Sequence, residues 1–357
     1  MKIISMLPVL AFGDAVGNDT IAVHKSLQKA GYDSLIVASV IDGRLGDGLA
    51  VSAEDLSFIR PEDIVIYHLS TGHELNKRFA QLKCRKIVKY HNITPPEFFF
   101  GYNTSALVNC MEGYRALSML AGQAEYCFAD SEYNKKEMEK AGYRCPIEVL
   151  PILIPFDDYT KTPDEEVVSK MSSDGYVNIL FTGRIVPNKR QEDVISAFYH
   201  YHKYYNSKSR LILIGNYAGM ESYYESLRCY IKELGAEDVI FPGHISFSQI
   251  LSYYKTADLF LCMSDHEGFC VPLIEAMYFK VPILAKKTSA IPYTLGGSGM
   301  MLADNDPLVA AAMMNRILTD GSLRDVIISN QNERLKDFEH DKIEEQLLHA
   351  INKLTKQ

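Results

Sequence analysis

Two glutamates, Glu267 and Glu275, flank a short turn in the stretch S-D-H-E-G-F-C-V-P-L-I-E-A-M, residues 264–277. Pro272 suits the first position of a helix there, because that position does not need an N–H. The amides of residues 268–271 would then lie at the helix start, where free N–H groups and the helix dipole attract phosphate. These residues are Gly268, Phe269, Cys270 and Val271. The stretch predicts a phosphorylated-sugar site, with Glu275 accepting from a ribose and Glu267 from a sugar beyond the phosphates. A helix stabilised by acidic N-terminal residues is the alternative.

A second group of candidates follows the apolar run 177–181, in the sequence T-G-R-I-V-P-N-K-R. Gly183 marks a turn, and Arg184 and Lys189 follow it five residues apart, just before a predicted helix. Arginine offers a two-pronged donor and lysine a compact charge, so together they can clamp a diphosphate and neutralise it as it leaves. A basic loop in solvent is the alternative.

Three further candidates stand alone. Gly17 in A-F-G-D-A-V-G-N-D lets the backbone come close to a ligand. The stretch is not the GxGxxG fingerprint, and the acidic residue expected about 20 positions later is not placed at a strand end, which disfavours a Rossmann oxidoreductase. His91 follows the predicted strand 85–90 and can donate a hydrogen bond to a sugar, whereas His244 in F-P-G-H-I can flank a nucleobase. An ordinary turn or a structural histidine is the alternative at each of these positions.

Composition limits the class of protein. A chain of 357 residues predicts about two domains, and the net charge of −8 argues against nucleic acid as a partner. The seven cysteines form no C-x-x-C pair and no cluster at zinc-ligand spacing, so we expect reduced thiols and no metal site. The N-terminal apolar run is interpreted as a buried strand rather than a signal peptide. No segment reaches the ~18 apolar residues of a membrane span, and we expect a cytoplasmic protein.

Short apolar runs alternate with longer amphipathic stretches, the pattern of βα units around a parallel sheet. This predicts an α/β fold with two Rossmann-like domains, one over residues 1–155 and one over 176–340. The polar, proline-bearing segment 156–175 is interpreted as a linker, and 341–357 as a C-terminal helix that returns to the first domain. Ligands of such sheets bind at the carboxyl ends of the strands, where all the candidates above fall.

Taken together, these motifs resemble those of the family-four retaining glycosyltransferases with the GT-B fold. The resemblance rests on T-G-R…K, on E-G-F…P-L-I-E-A and on S-A-I-P-Y-T-L-G-G-S-G at 289–299. Two N-terminal stretches, G-D-A-V-G-N-D and Y-H-N-I-T-P-P-E-F, look like acceptor-domain elements of bacterial members that build surface polysaccharides. The resemblance therefore covers nearly the whole chain.

This resemblance implies a fold, a reaction and a set of partners. It implies two facing domains, the first binding the acceptor and the second a UDP- or GDP-linked sugar. A hexose-type sugar would pass, with retention at the anomeric carbon, to a hydroxyl of a glycan or lipid-linked acceptor, without a metal or other cofactor. Contact with the inner face of a membrane would follow from a lipid-linked acceptor.

The resemblance also implies residue roles. Carried over position by position, Arg184 and Lys189 would hold the diphosphate and Glu275 the ribose. Glu267 and the amides of 268–271 would bind the donor sugar and phosphate. His91 would lie near the transferred sugar, and Gly17 beside the diphosphate.

The chain departs from the family pattern at two positions. The residue after Phe269 is commonly Gly and here is Cys270, and the S-A-I-P element is commonly followed by Glu where this chain has Tyr293. The first change is expected to preserve the turn, whereas the second removes a carboxylate that would bear on the donor sugar.

Three other functions fit parts of the pattern. A nucleotide-sugar epimerase of the same fold would use acid/base carboxylates and no acceptor. A sugar phosphorylase would need a pyridoxal-phosphate lysine and a longer chain. A non-catalytic nucleotide-sugar-binding subunit would keep the pocket without turnover. The aromatic run F-F-F-G-Y at 98–102 fits either an acceptor loop or the core.

Overall fold

A computed structural model of the chain describes residues 1–243 and 245–355. These residues form two compact units. The first comprises residues 1–97, 104–156 and the C-terminal segment from 338, and the second comprises 98–103 and 157–337. Each unit contains one parallel sheet with helices around it, so the predicted α/β fold with two Rossmann-like domains is confirmed.

The first unit is built on a seven-stranded parallel sheet. Its strands are β1 (Ile3–Leu10), β2 (Ser34–Ile41), β3 (Val51–Ser52), β4 (Ile64–Leu69), β5 (Arg85–Tyr90), β6 (Tyr126–Ala129) and β7 (Ile147–Val149). Their order is β3-β2-β1-β4-β5-β6-β7. Strand β4 is buried along its whole length, as expected for parallel strands covered on both faces. The chain first builds outward from β1 and then resumes on its other side with β4.

Four helices connect these strands. They are α1 (Ala15–Lys29), α2 (Glu74–Gln81), α3 (Thr104–Leu120) and α4 (Glu132–Lys140). Asp14 caps α1 by accepting from the amide of Gly17 at 3.1 Å, and Ser131 caps α4 by accepting from the amide of Asn134 at 3.2 Å. Such caps satisfy backbone N–H groups that a helix cannot pair internally.

The second unit repeats the design with six parallel strands. They are β8 (Val177–Thr182), β9 (Ser209–Ile214), β10 (Val239–Ile240), β11 (Leu259–Cys262), β12 (Ile283–Lys286) and β13 (Met300–Leu302), in the order β10-β9-β8-β11-β12-β13. Its helices are α5 (Glu165–Ser172), α6 (Gln191–Tyr204), α7 (Glu221–Leu234), α8 (Phe247–Thr256), α9 (Val271–Tyr278), α10 (Ile291–Leu295), α11 (Pro307–Thr319) and α12 (Gly321–Leu335). The direction of strand addition reverses between β8 and β11.

The segment 156–175 is predicted as a linker, but from residue 157 onward it is folded within the second unit. Asp164 caps α5 through the amide of Val167 at 3.1 Å. Met171 is buried, and its carbonyl accepts from the side chain of Asn178 on β8 at 3.0 Å. The polar residues that suggested a linker thus include a helix cap.

The last helix, α13 (His340–Thr355), belongs to the first unit. Most of its apolar side chains are buried, and Glu344 pairs with Lys29 on α1 at 3.1 Å. Tyr32, just beyond α1, donates to the side chain of Asn352 at 2.6 Å. The chain therefore completes its first unit only after the second has been built.

Candidate functional site

The sheet of the second unit brings two of the predicted motifs to one place. Strands β9 and β10 lie on one side of β8, and β11 to β13 lie on the other. The loops that leave the carboxyl ends of β8 and β11 therefore diverge at a topological switch point, where open α/β sheets form a ligand crevice. The first loop carries residues 183–190 and the second carries 263–270.

Lys189 and Glu267 meet between these two loops. The ammonium of Lys189 lies 2.5 Å from Oε2 of Glu267, with side chains 20% and 8% exposed. Burial is the largest single effect and lowers the pKa of Lys189. The charge and hydrogen bond of Glu267, together with the nearby Cys270 and Cys262, outweigh it, and the net pKa is raised. Lys189 therefore stays charged at neutral pH. Its charge is largely buried, and the ion pair with Glu267 offsets the cost of burying it.

Hydrogen bonds hold the backbone of both loops. Asn188 accepts from the amide of Asp265 at 2.9 Å and donates its side chain to the carbonyl of His266 at 3.0 Å. On the other side, the amide of Glu267 donates to Oγ of Ser289 at 2.8 Å. The turn that carries Glu267 is thus fixed from two directions, which positions its carboxylate against Lys189.

The start of α9 has the features that the sequence predicts for phosphate, with one difference. Cys270 is the N-cap residue and adopts a left-handed conformation, with φ 71° and ψ 68°. Among the described residues no side chain caps this helix, so its positive end is not neutralised by a capping group. Pro272 occupies the second helical position and not the first, because the helix already begins at Val271.

Glu275, one turn into α9, is held by two tyrosines. Its Oε2 accepts from Tyr254 at 2.6 Å and its Oε1 accepts from Tyr159 at 3.2 Å. The Tyr254 hydroxyl also lies 2.5 Å from that of Thr182 at the end of β8. Burial raises the pKa of Glu275, and the two tyrosine hydrogen bonds oppose that rise. Each carboxylate oxygen keeps further lone pairs for another donor, such as a ribose hydroxyl.

The turn after β8 contains Gly183 and Arg184. Arg184 is exposed, and its carbonyl accepts from the side chain of Gln191 at 2.9 Å. Gly183 has a φ of 143°, a conformation that L side chains rarely adopt. Beside it, a Cβ on Gly215 would lie 1.8 Å from the carbonyl oxygen of Gly183. Gly183 and Gly215 therefore allow the ends of β8 and β9 to lie close together. The Arg184 side chain extends toward solvent.

His91 belongs to the first unit, where it joins a buried charged cluster at the carboxyl ends of β4, β5 and β6. Its Nδ1 lies 2.8 Å from Oδ2 of Asp130, and its Nε2 lies 2.8 Å from Nδ1 of His68. Lys89 pairs with Asp19 at 2.6 Å in the same cluster. Both ring nitrogens of His91 are thus engaged by protein groups, and its side chain is 1% exposed. Donation to a sugar would require His91 to release His68, and that role stays a prediction.

Burial, with the nearby charges of His91 and Lys89, holds the pKa of His68 well below its usual range, so this ring is neutral.

Gly17 and His244 complete the set of predicted site residues. Gly17 lies in α1, where its amide already donates to Asp14 and a Cβ would lie 2.8 Å from the carbonyl oxygen of Ala11. Close packing thus accounts for this glycine, and its contact with a diphosphate stays a prediction. His244 lies outside the described residues.

Residues that the sequence does not reveal as candidates hold the candidate side chains and loops in place. Tyr254 and Tyr159 lie 21 and 116 positions from Glu275 along the chain. Asn188 lies 78 positions from His266. His68 looks like one more residue of a buried strand in the sequence. Two of these residues lie within quoted motifs: Asn188 belongs to T-G-R-I-V-P-N-K-R, and Ser289 begins the S-A-I-P element.

Within the described parts of the chain, none of the helices combines the length and apolar character needed to cross a membrane.

Comparison with known proteins identifies the family of the second unit. Residues 164–334 match the family model described as glycosyl transferases group 1. The O-antigen chain mannosyltransferase B of Escherichia coli is 24% identical over 213 residues, which are 59% of this chain and 51% of that protein. The capsular polysaccharide biosynthesis glycosyltransferase CapM of Staphylococcus aureus is 29% identical over 197 residues, 54% and 50% of the two chains. The match thus spans about half the length of these relatives.

Solved structures match over the whole chain. The Anabaena protein Alr3699/HepE in complex with UDP and glucose has a TM-score of 0.78 at 18% identity and covers 99% of this chain and 100% of its own. The sucrose-phosphate synthase of Thermosynechococcus elongatus has a TM-score of 0.77 at 15% identity and covers 99% of both chains. Likeness at these identities establishes the fold, which is that of the GT-B enzymes. Residues 164–334, which build the candidate site, match the group 1 glycosyl transferases.

Proposed function

We propose that the protein is a retaining, metal-independent hexosyltransferase that uses a UDP- or GDP-linked sugar. The observation that carries the proposal is the Lys189–Glu267 pair at the switch point of the second sheet, directly before the left-handed turn into α9. The pair provides a cation for a diphosphate and a carboxylate for sugar hydroxyls. Relatives with polysaccharide-building names and a structural neighbour with bound UDP support this choice of substrate class.

The donor would bind along the loops after β8 and β11. Lys189 and Arg184 would hold the diphosphate, with the amides at the start of α9 as further donors. Glu275, oriented by its two tyrosines, would accept from the ribose hydroxyls. Glu267 would accept from the transferred sugar. Because Lys189 already contacts Glu267, diphosphate binding would share this ammonium between the two anions.

Catalysis would come from stabilising the leaving group. Cleavage of the bond between C1 of the sugar and the phosphate oxygen develops positive charge on the sugar and negative charge on the diphosphate. Lys189 and Arg184 would bind that growing charge more tightly than the ground state, which lowers the barrier. The acceptor hydroxyl would attack from the face that the diphosphate leaves and pass its proton to a departing phosphate oxygen, which retains the anomeric configuration.

The acceptor would be a hydroxyl of a glycan, free or linked to a lipid, and the first unit would bind it. A relative from Campylobacter jejuni, 28% identical over 176 residues, is named for transfer to an undecaprenol-linked glycan. A lipid-linked acceptor would bring this protein to a membrane surface without a membrane-spanning helix of its own.

The proposal is tested by following donor and product together. Purified protein receives UDP- or GDP-hexoses with polyprenol-diphosphate glycans, in the presence of a chelator, and both released nucleotide and glycosylated lipid are measured. Proton NMR of the product then reports the anomeric configuration. We expect nucleotide release that depends on acceptor, an anomer matching that of the donor, and at least ~100-fold slower turnover in Glu275→Gln, in which the ribose acceptor loses its charge.

Three outcomes would contradict this account. Interconversion of the donor sugar without an acceptor would indicate an epimerase. Nucleotide binding without release from any acceptor would indicate a binding subunit. Inversion at the anomeric carbon would rule out the retaining mechanism.

A further inference from the structure

Two buried thiols lie within the candidate donor site. Cys262 ends β11 and Cys270 is the N-cap residue of α9, and the two residues are 2% and 7% exposed. They are eight positions apart, too far for a C-x-x-C motif, so their sequence spacing gave no sign of a pair. The fold brings them together because the loop after β11 turns back before α9 begins.

The carboxylate of Glu267 lies beside this pair. A sulfur from Cys262, a sulfur from Cys270 and an oxygen from Glu267 all lie within 4.8 Å of one another. All three residues are buried. Two cysteine sulfurs with one carboxylate oxygen form a donor set suited to a thiophilic cation such as Zn²⁺, at metal–ligand distances of roughly 2.0 to 2.3 Å.

The charges around these groups also suit a divalent cation. With both thiols deprotonated, the two cysteines and Glu267 carry three negative charges, and Lys189 adds one positive charge beside Glu267. One divalent cation makes this group of four side chains neutral. A neutral cluster avoids the cost of buried charge, and thiols release their protons when they bind a metal.

We propose that Cys262, Cys270 and Glu267 form a site for a thiophilic divalent cation, and that its occupation prevents donor binding. The consequence for the donor rests on the proposed function, whereas the cation site itself does not. A cation on Glu267 would neutralise the charge that this carboxylate offers to sugar hydroxyls, and the ligating Cys270 begins the helix that would meet the phosphate. Three protein ligands leave one tetrahedral position open to water. The cation is therefore an inhibitor and has no part in catalysis.

The site is tested with Co²⁺ as a spectroscopic probe. Protein reduced with a phosphine and freed of metal by a chelator is titrated with Co²⁺ alone. We expect one equivalent to produce a thiolate-to-cobalt absorption band and the visible bands of tetrahedral Co²⁺, and Zn²⁺ to abolish them. Cys262→Ser should weaken Co²⁺ binding at least ~100-fold, since removal of groups that merely support a metal ligand already costs about 10–100-fold.

Matched variants separate this site from other thiols. Cys229→Ser removes an exposed cysteine elsewhere in the second unit and should leave the cobalt bands unchanged. Cys262→Ala repeats the test with a side chain that has no polar atom, and circular dichroism confirms that both Cys262 variants fold. Absence of a thiolate band in the wild type, its persistence in both Cys262 variants or its loss in Cys229→Ser would overturn the proposal.

Calorimetric titration with UDP and GDP then tests the consequence for the donor. We expect Zn²⁺ at one equivalent to abolish nucleotide binding to the wild type but not to Cys262→Ser. If the cobalt bands appear and no nucleotide binds even without metal, the proposed function fails while the cation site stands. If nucleotides bind and the bands are missing, the cation site fails alone. Unchanged nucleotide affinity with Zn²⁺ bound would overturn the inhibitory role.

Discussion

The side chains at the candidate site are held in position by partners from distant parts of the chain. The T-G-R…K and E-G-F…P-L-I-E-A motifs identify Lys189, Glu267 and Glu275, because each motif is local and its chemistry follows from residue type and spacing. Their contacts were not predictable in the same way. Lys189 meets Glu267 across 78 positions, and Glu275 meets Tyr159 across 116. Only the folded sheet determines that these residues become neighbours.

Glu137 on α4 makes the stability of the first unit depend on pH. Burial raises its pKa to about 7, against the hydrogen bonds that it accepts from Tyr90 and Asn92. The folded protein therefore holds a proton that the unfolded chain releases near its ordinary pKa of 4.5. The protonated Glu137 therefore contributes its full stabilisation of the folded state below the ordinary pKa. That stabilisation is lost as pH rises through about 7.

We expect Glu137→Gln to remove this dependence, because the amide keeps an acceptor oxygen and does not titrate. Between pH 5 and pH 8 the wild type should lose on the order of 2 kcal/mol relative to the variant, after allowance for residual solvent screening. Urea unfolding at both pH values measures the difference. Glu139→Gln, an exposed position on the same helix, is the control and should behave as the wild type. An equal pH response in both variants would contradict the assignment.

At the scale of elements, the sequence predicted the long strands and helices better than the short ones. Apolar runs such as V-N-I-L-F-T at 177–182 became strands in both units, since parallel strands are buried on both faces. The two-residue strand β3 and the short helix α10 give no such signal, because so few residues show no periodicity. The composition of the segment 156–175 predicts a linker, because a capped, polar helix such as α5 resembles a loop in composition.

Gly215, just beyond β9, controls how closely two strand ends approach at the candidate site. A Cβ there would lie 1.8 Å from the carbonyl oxygen of Gly183, too close for any side-chain movement to relieve. We expect Gly215→Ala to destabilise the second unit by about 2–3 kcal/mol through overpacking and to weaken nucleotide binding, because the loop with Arg184 and Lys189 must shift.

Thermal unfolding and UDP titration measure these two effects of Gly215→Ala. Gly321→Ala is the matched control, since a Cβ at Gly321 meets no atom within 4 Å. Alanine is also a better helix former than glycine at this first position of α12. Equal melting temperatures for the two variants would show that the close approach is not required.

At the scale of the whole molecule, the chain leaves the first unit, builds the second and returns with α13. The sequence predicts a C-terminal helix over 341–357 that returns to the first domain, whereas its contacts with α1 are visible only in the structure. Buried residues such as Ile343, Leu347 and Ile351 lie on one face of α13. The stability of the N-terminal sheet should therefore depend on residues at the other end of the sequence.

Leu347→Ala tests this dependence. The side chain is 1% exposed, and its truncation should lower the stability of the first unit by about 2–4 kcal/mol through lost burial and a cavity. Amide hydrogen exchange in β1 and β2 reports on that unit alone. Glu345→Ala, at an exposed position of the same helix, should leave the exchange rates unchanged. Wild-type protection in Leu347→Ala would contradict the assignment of α13 to the first unit.

The central claim is that the loops after β8 and β11 bind a nucleoside diphosphate, and calorimetric titration of UDP, GDP and dTDP in a chelator tests it most directly. We expect one of these nucleotides to bind the wild type saturably at one site. Binding should be about 10–100-fold weaker in Lys189→Ala, through the loss of a charge-assisted contact, and unchanged in Lys232→Ala, an exposed lysine on α7. No binding of any nucleotide to the wild type, or equal affinity in Lys189→Ala, would contradict the account.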